Sequence, residues 1–407
     1  MKHFVVVGLG YGDESKGGIV DWACEKAGPF NAVIRFNGGC QAGHNVVRPS
    51  GTHHEFSQFG SGTFSGVPTI LSRYMMVEPL SFFREAEALE EKIGFDPIPM
   101  VSVDRECLVT TPWHVAYNDN QEALNGHGTC GRGVGATARF ALEHPDDALR
   151  VGDLRDSNVL RRKLLALEEW AGPTLLEVNA DYVEHVYRYF ANRVILCDRA
   201  HLEWIVRTRR CVFEGAQGVL LDEWKGFHPH TTWSTTTFDN AVEITGDGDI
   251  LRIGVVRTYT TRHGVGPHPT AGHGPQREIL EEPHNHDSGS QGRFRIGAFD
   301  AVAHRYAIKA CGRVDVLAVT HLDAVRHPLE FCDSYADGWT PKLGSHHDLA
   351  HQEEMTQRMM TAAPLLTADR TPDTLALIGD LLGVTIGIAS GGPTADDKRS
   401  LLHLVGV

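Results

Sequence analysis

The chain has no pair of cysteines at the spacing of a redox or zinc motif, no long basic tract, and no uninterrupted apolar run approaching membrane-spanning length. Its eight cysteines are dispersed at 24, 40, 107, 130, 197, 211, 311 and 332, which excludes a dense disulfide framework and fits a reducing, cytoplasmic setting. The first residues lack the basic flank and apolar core of a secretion signal, so neither export nor membrane attachment is expected. Lys and Arg total 38 against 52 Asp and Glu, a formal charge of -14, so direct nucleic-acid binding is not expected either. A small anionic substrate remains open, because a few local donors can hold a phosphate inside an acidic protein.

What is present suits a large globular enzyme: 407 residues, 42% hydrophobic, with 43 glycines that follow no collagen-like period. Residues 4–9, 194–197, 211–213, 250–256 and 314–320 read as strands. Residues 81–93 and 159–171 read as amphipathic helices. The expectation is an α/β fold, a mainly parallel central sheet with flanking helices, in one large domain over 1–407 carrying loop and helical insertions.

FVVVGL at 4–9 runs into GYGDESKGG at 10–18 and then IVDWACEKA, the order strand, glycine loop, helix. That order sets backbone N–H groups and a helix N-terminus beside the loop, an arrangement suited to phosphate. It is not a Walker A, which needs GxxxxGK followed by Ser or Thr. Lys16 can neutralise phosphate and Asp13 can coordinate Mg²⁺ or accept a proton; a plain structural turn is the competing reading. In FNGGCQAGHNVV at 36–47, His44 is a ring able to exchange a proton near neutral pH, and its case depends on whether this turn faces Asp13.

GYGDESKGG resembles the phosphate and catalytic loop of the adenylosuccinate synthetase family, and GGCQAGHN resembles its second catalytic loop. Similar segments follow in order through DNQEALNGHGTCGRGVG, RVGDL, VFEGAQGVLLD, RHGVGPHPT, QGRFR and VTHLD, covering nearly the whole chain. The resemblance implies an atypical relative of the phosphate-binding NTPase folds, commonly homodimeric. It implies a ligase that joins L-aspartate to a 6-oxopurine nucleotide after phosphoryl transfer from GTP to purine O6. Activating O6 converts a poor leaving oxygen into phosphate, and removing the N1 proton makes O6 nucleophilic.

By this resemblance Asp13 is the N1 base and, with the Gly43 carbonyl, a Mg²⁺ ligand, while His44 donates to the transferring phosphoryl group. Gly12, Ser15, Lys16 and Gly17 belong to the phosphate-binding loop. Thr129, Cys130, Arg132, Gln217 and Thr232 hold the purine nucleotide, and Arg293 and Arg295 hold the incoming aspartate. His321, Asp323, Ser390 and Gly392 meet the base of the phosphate donor. Ser15 stands where the family has glycine, Gly18 where it often has lysine, Cys40 where it often has histidine, and His321 where it has lysine. These departures leave GTP or ATP open as donor. They also leave two acceptors, IMP, favoured by retention of Asp13, and dGMP, used by a specialised viral-type branch to make a succinyl precursor of 2-aminoadenine nucleotide. A non-catalytic nucleotide-binding protein is the reading from another class.

Among the 23 histidines, HPH at 228–230, HNH at 284–286 and the group His346, His347, His351 form no zinc motif, so hydrogen-bonded or surface roles are expected. Glu55 with His53 and His54 reads as a solvated hairpin, and Trp113, Tyr117 and Trp170 read as packing residues.

Overall fold

HFVVVG offers valines on both sides of an extended chain, which suits a strand covered on both faces, and all six residues are buried in β1, His3–Gly8. Period-two alternation divides it: Val5 and Val7 join one core with Val302 and Tyr306, while Phe4 and Val6 join another with Ile19 and Trp22. The computed structural model describes residues 2–125, 131–172, 178–246, 248–274, 285, 292–325, 329–369 and 373–402.

Nine further strands complete the main sheet: β2 Ala32–Arg35, β3 Thr69–Leu71, β4 Val101–Asp104, β5 Ile195–Cys197, β6 Cys211–Glu214, β7 Ile250–Arg257, β8 Val316–Thr320, β9 Ile386–Ser390 and β10 Lys398–Ser400. Their order is β10-β9-β8-β7-β1-β6-β2-β3-β4-β5. Every neighbouring pair is parallel except β9 and the edge strand β10. The expected mainly parallel α/β architecture is therefore present. Successive strands move outward from β1 on one side through β5. The chain then returns to insert β6 beside β1 and builds outward on the other side from β7. Such a reversal opens a crevice at the carboxyl ends of the central strands. Those ends are Gly8, Arg35, Glu214, Arg257, Thr320 and Ser390.

The two helices read from the sequence start earlier than apolar spacing suggested, at Pro79 and Ser157. Capping accounts for the difference: Glu78 accepts from the Leu80 and Ser81 N–H groups, and Asp156 accepts from Asn158 and Val159. The hairpin His44–Val47 with His53–Phe56 forms as expected, but His54 is not solvated. It is buried, with its Nδ1 3.0 Å from Lys92 Nζ.

Candidate active site

The loop leaving β1 enters helix α1, Lys16–Trp22, all of whose residues are buried. Glycine is required where the loop folds over Glu14. A Cβ on Gly8 would lie 2.0 Å from Glu14 Oε2, and one on Gly10 would lie 2.7 Å from Oε1. Into that space Glu14 Oε1 accepts the N–H of Gly10 at 3.1 Å and of Gly12 at 2.8 Å, while Oε2 pairs with Lys16 Nζ at 2.9 Å. Glu14 was not singled out from the sequence, yet it organises the loop. Asp13 and Ser15 flank it at φ 63° and 68°, conformations that non-glycine residues adopt at a cost.

His44 opens the strand that follows the second glycine turn. Its Nδ1 lies 2.6 Å from Glu214 Oε1, at the tip of β6. Glu214 is fully buried and also accepts from the Ser61 N–H at 3.0 Å and from the Ser61 hydroxyl. Burial pushes the Glu214 carboxyl up, but the Arg35 guanidinium, His44 and Ser61 outweigh it and hold the group at about 2. Burial lowers His44, opposed by the Glu214 charge. An ionised Glu214 therefore fixes the ring proton on Nδ1 and leaves Nε2 as the ring nitrogen it does not engage.

Asp13 is partly exposed at the mouth of the loop. Arg257, the last residue of β7, donates from Nε to the Asp13 carbonyl at 2.5 Å and from Nη1 to Tyr259 at 2.8 Å. Asp13 Oδ2 lies 3.3 Å from His263 Nε2. Burial works to raise Asp13, but the His263 contact with the charges of Arg257 and Lys16 leaves it below the usual carboxylate value. Gln217, after β6, is held at φ 53° with a buried Oε1 lacking a partner among the described residues.

These groups surround one cavity of about 900 Å³. Of the residues expected at the site, Asp13, Ser15, Lys16, Gly17, Gly43 and His44 line it, as do Arg132, Gln217 and Thr232. At another part of the wall are His321, Asp323, Ser390 and Gly392. Gly12 stands behind the lining, engaged by Glu14. Arg293 is exposed outside the lining, and Arg295 turns below it to donate to the Gly266 carbonyl at 2.9 Å. Thr129 and Cys130 lie outside the described residues. The lining also holds Tyr11, Arg257, Arg262 and His263, which sequence reasoning had not singled out. Arg262 stacks over Tyr11 at 4.3 Å, and His263 sits one residue further along the RHGVGPHPT segment. Tyr117 combines packing with lining: it stacks on Trp170 at 4.1 Å and faces the cavity.

On the donor side His321 adopts φ 59°, and its Nδ1 lies 3.0 Å from Thr320 Oγ1. Burial, then the charges of Arg257 and Lys398, keep that imidazole neutral, far below its ordinary value. Lys398 Nζ gathers the carbonyls of Gly392, Pro393 and Thr394 at 3.3, 3.3 and 2.8 Å, shaping the loop after β9.

Among the described residues no group of three or more His, Cys, Asp or Glu is placed to hold a metal ion. His346 and His347 pack on each other and on Trp224 instead. Two residues that carry oxygen donors line the cavity, Asp13 with its carboxylate and Gly43 with its backbone carbonyl, and Glu55 packs so closely on Gly43 that a Cβ there would lie 2.0 Å from its Oε1. A hard oxygen set this sparse fits Mg²⁺, which keeps waters and substrate phosphates in its shell. No helix among the described residues is long and apolar enough to cross a membrane.

The adenylosuccinate synthetase family model matches residues 5–397. An adenylosuccinate synthetase from Synechococcus is 32% identical, covering 100% of this chain and 99% of that protein. One from Thermodesulfovibrio yellowstonii is 30% identical over 98% of each. In fold, the fully ligated adenylosuccinate synthetase of Plasmodium falciparum superposes with a TM-score of 0.83 at 19% identity, covering 99% of this chain and 100% of that one. The succinoaminodeoxyadenylate synthetase of cyanophage S-2L, bound to dGMP and dATP, superposes at 0.64 and 16% identity, with 99% and 96% covered. The chain belongs to the adenylosuccinate synthetase family of ligases.

Proposed function

We propose that this protein joins L-aspartate to C6 of a 6-oxopurine nucleotide, IMP in the favoured reading, through a 6-phosphoryl intermediate made from GTP or ATP. The observation that carries the proposal is one cavity bringing together a carboxylate, Asp13, a glycine-built phosphate loop, and a histidine backed by a buried glutamate. Asp13, held below the usual carboxylate value, is ionised and able to take the N1 proton, which sends electron density to O6. O6 then attacks the donor's γ-phosphorus, and the bond to the leaving diphosphate breaks. His44 faces the transferring group with Nε2, and once Nε2 takes a proton from solvent the Glu214 charge stabilises the resulting imidazolium, which donates to the negative charge developing on the phosphoryl group.

Gly12, Ser15, Lys16 and Gly17 cradle phosphate, and Arg132, Gln217 and Thr232 hold the acceptor nucleotide with Thr129 and Cys130. His321, Asp323, Ser390 and Gly392 receive the donor base. Arg293 and Arg295, which lie outside the cavity lining here, would have to turn toward it to hold the aspartate carboxylates; the aspartate amine attacks C6, and phosphate departs with the O6 oxygen. Asp13 and the Gly43 carbonyl would hold Mg²⁺, which when bound neutralises charge on the donor phosphates. A homodimer completes the reading, and seven free cysteines among the described residues support a reducing cytoplasmic setting.

The same chemistry on dGMP is the second reading. It rests on Ser15, whose hydroxyl makes no helix-capping bond and adds a polar group beside Asp13. Phosphate release with mass detection of the succinyl product, crossing IMP and dGMP with GTP and ATP, tests both. Nucleotide binding without product in any combination overturns the ligase reading.

A further inference from the structure

His263 stands against the carboxylate proposed to meet the purine's N1–H, and nothing in the reaction above uses it. Its Nε2 lies 3.3 Å from Asp13 Oδ2 and 3.2 Å from Asn285 Oδ1. Both neighbours are oxygen acceptors, so they assign the hydrogen to Nε2. The buried Nδ1 has no partner among the described residues. The ring is anchored: His263 ends the strand Thr260–His263, pairs in register with Phe294, and rests on that ring at 4.8 Å between centroids. Asp13 is anchored too, through its carbonyl on Arg257 and its constrained φ.

A carboxylate has two oxygens, and the two acceptor candidates ask different things of them. A hypoxanthine edge presents one donor, N1–H, with only a carbon-bound hydrogen at C2. A guanine edge presents two adjacent donors, N1–H and the 2-amino group, which match both oxygens of one carboxylate. Here His263 Nε2, hydrogen-bonded to Asn285, already stands 3.3 Å from Oδ2. A 2-amino group brought to Asp13 would have to share Oδ2, and the space beside it, with His263 Nε2, donor beside donor, so that one of the two is pushed aside or held at poor hydrogen-bond geometry although the oxygen has two lone pairs. Oδ1, which His263 does not approach, has lone pairs to spare for a lone N1–H beside any other partner of the carboxylate.

We propose that His263 is a specificity-determining residue that, by holding Asp13 Oδ2, selects a 6-oxopurine with hydrogen at C2 over one with a 2-amino group. The proposal rests on the acceptor-site reading of Asp13 given above.

The test pairs dIMP with dGMP, which differ only at C2, so the sugar does not enter the comparison. Dissociation constants come from quenching of intrinsic tryptophan fluorescence, and kcat/KM for succinyl product is measured with L-aspartate, Mg²⁺ and GTP or ATP. The full chain is expected to favour dIMP at least tenfold in both quantities. His263→Ala is expected to cut that preference about tenfold, while His263→Asn, which keeps a side-chain N–H donor, retains most of it. Equal or better use of dGMP by the unmodified chain, or an unchanged ratio in a folded His263→Ala protein, overturns the role of His263. If no nucleotide yields product, the ligase reading fails separately and the ratio of dissociation constants still decides. If His263→Ala does not fold, the unmodified chain's binding ratio decides, and a ratio at or below one overturns the proposal.

Discussion

At the tips of β1, β2 and β6, buried charge is matched in place, Lys16 on Glu14, with His44 and Arg35 flanking Glu214, although Arg35 Nε has no hydrogen-bond partner among the described residues. Across the cavity, behind the strand pair Thr260–His263 and Phe294–Gly297, polar atoms stand unmatched. Arg295 Nε, Thr270 Oγ1 and both ring nitrogens of His268 have no hydrogen-bond partner among the described residues. The first wall has its dipoles aligned before any ligand arrives, which is how a site stabilises charge that develops during a reaction. The second has polar groups that water or a ligand must complete, so its contribution depends on what is bound.

Breaking the matched wall should therefore cost most. Glu214→Gln leaves Arg35 without its buried counter-charge and frees the His44 ring. It is expected to lower kcat about 100-fold and stability by about 3 kcal/mol. Steady-state kinetics and a urea midpoint check the two effects, and a kcat within threefold of the parent would remove the His44–Glu214 pair from the chemistry. Gly8→Ala comes next. Its Cβ would sit 2.0 Å from Glu14 Oε2 and 3.0 Å from Lys16 Nζ, forcing the pair to move. A stability loss of about 1–3 kcal/mol, with weaker donor-nucleotide binding, is expected from the same denaturation series and a binding titration.

The same division explains what the sequence makes legible. β1, β7 and β8 show as apolar runs, and the glycine loops show as motifs, because each is local. β3 has only three residues, too few for a period to register. Within the site, Asp13, Lys16 and His44 stand in recognisable loops. The partners that set their state do not: Glu214 is 170 positions from His44, and the Arg257 that holds the Asp13 carbonyl is 244 positions away. Only the parallel sheet, by aligning strand tips, brings them together. His263 was within reach, since it lies inside a segment singled out by resemblance, but no spacing rule points a strand-end imidazole at a loop carboxylate.

Lys398 tests the donor end of the cavity with a smaller effect. Burial lowers its ammonium from the ordinary lysine value to about 8, against the opposing charges of Asp21, Asp397 and Asp323. Below about pH 8 the charged group gathers the three loop carbonyls; above it, one proton and its hydrogen bond are lost. Because the folded value lies below the unfolded one, burial of this charge costs stability at neutral pH, and the cost is relieved as pH rises from about 8 toward the ordinary lysine value. Affinity for the donor nucleotide should move the other way, falling a few-fold above pH 8 as the loop loosens. Lys398→Met should flatten that profile, and an unchanged profile would detach Lys398 from the donor site.

The smallest effect belongs to the unmatched wall. Burial, then the charges of Arg295 and Arg262, push His268 down to about 3, so it is neutral in the folded state at pH 7. An unfolded histidine binds a proton below about pH 6.5, so this residue's contribution to stability is complete above that pH and is lost as pH falls toward 3. His268→Phe keeps a planar ring in the space beside Tyr11 and removes two unpaired polar atoms. Stability at pH 7 should change by less than about 1 kcal/mol, and the variant should resist acid better than its parent. Urea midpoints at pH 7 and pH 5 read both effects. A loss of several kcal/mol at pH 7 would mean that bound water already completes this wall, and a raised KM for aspartate alone would mean that the substrate does.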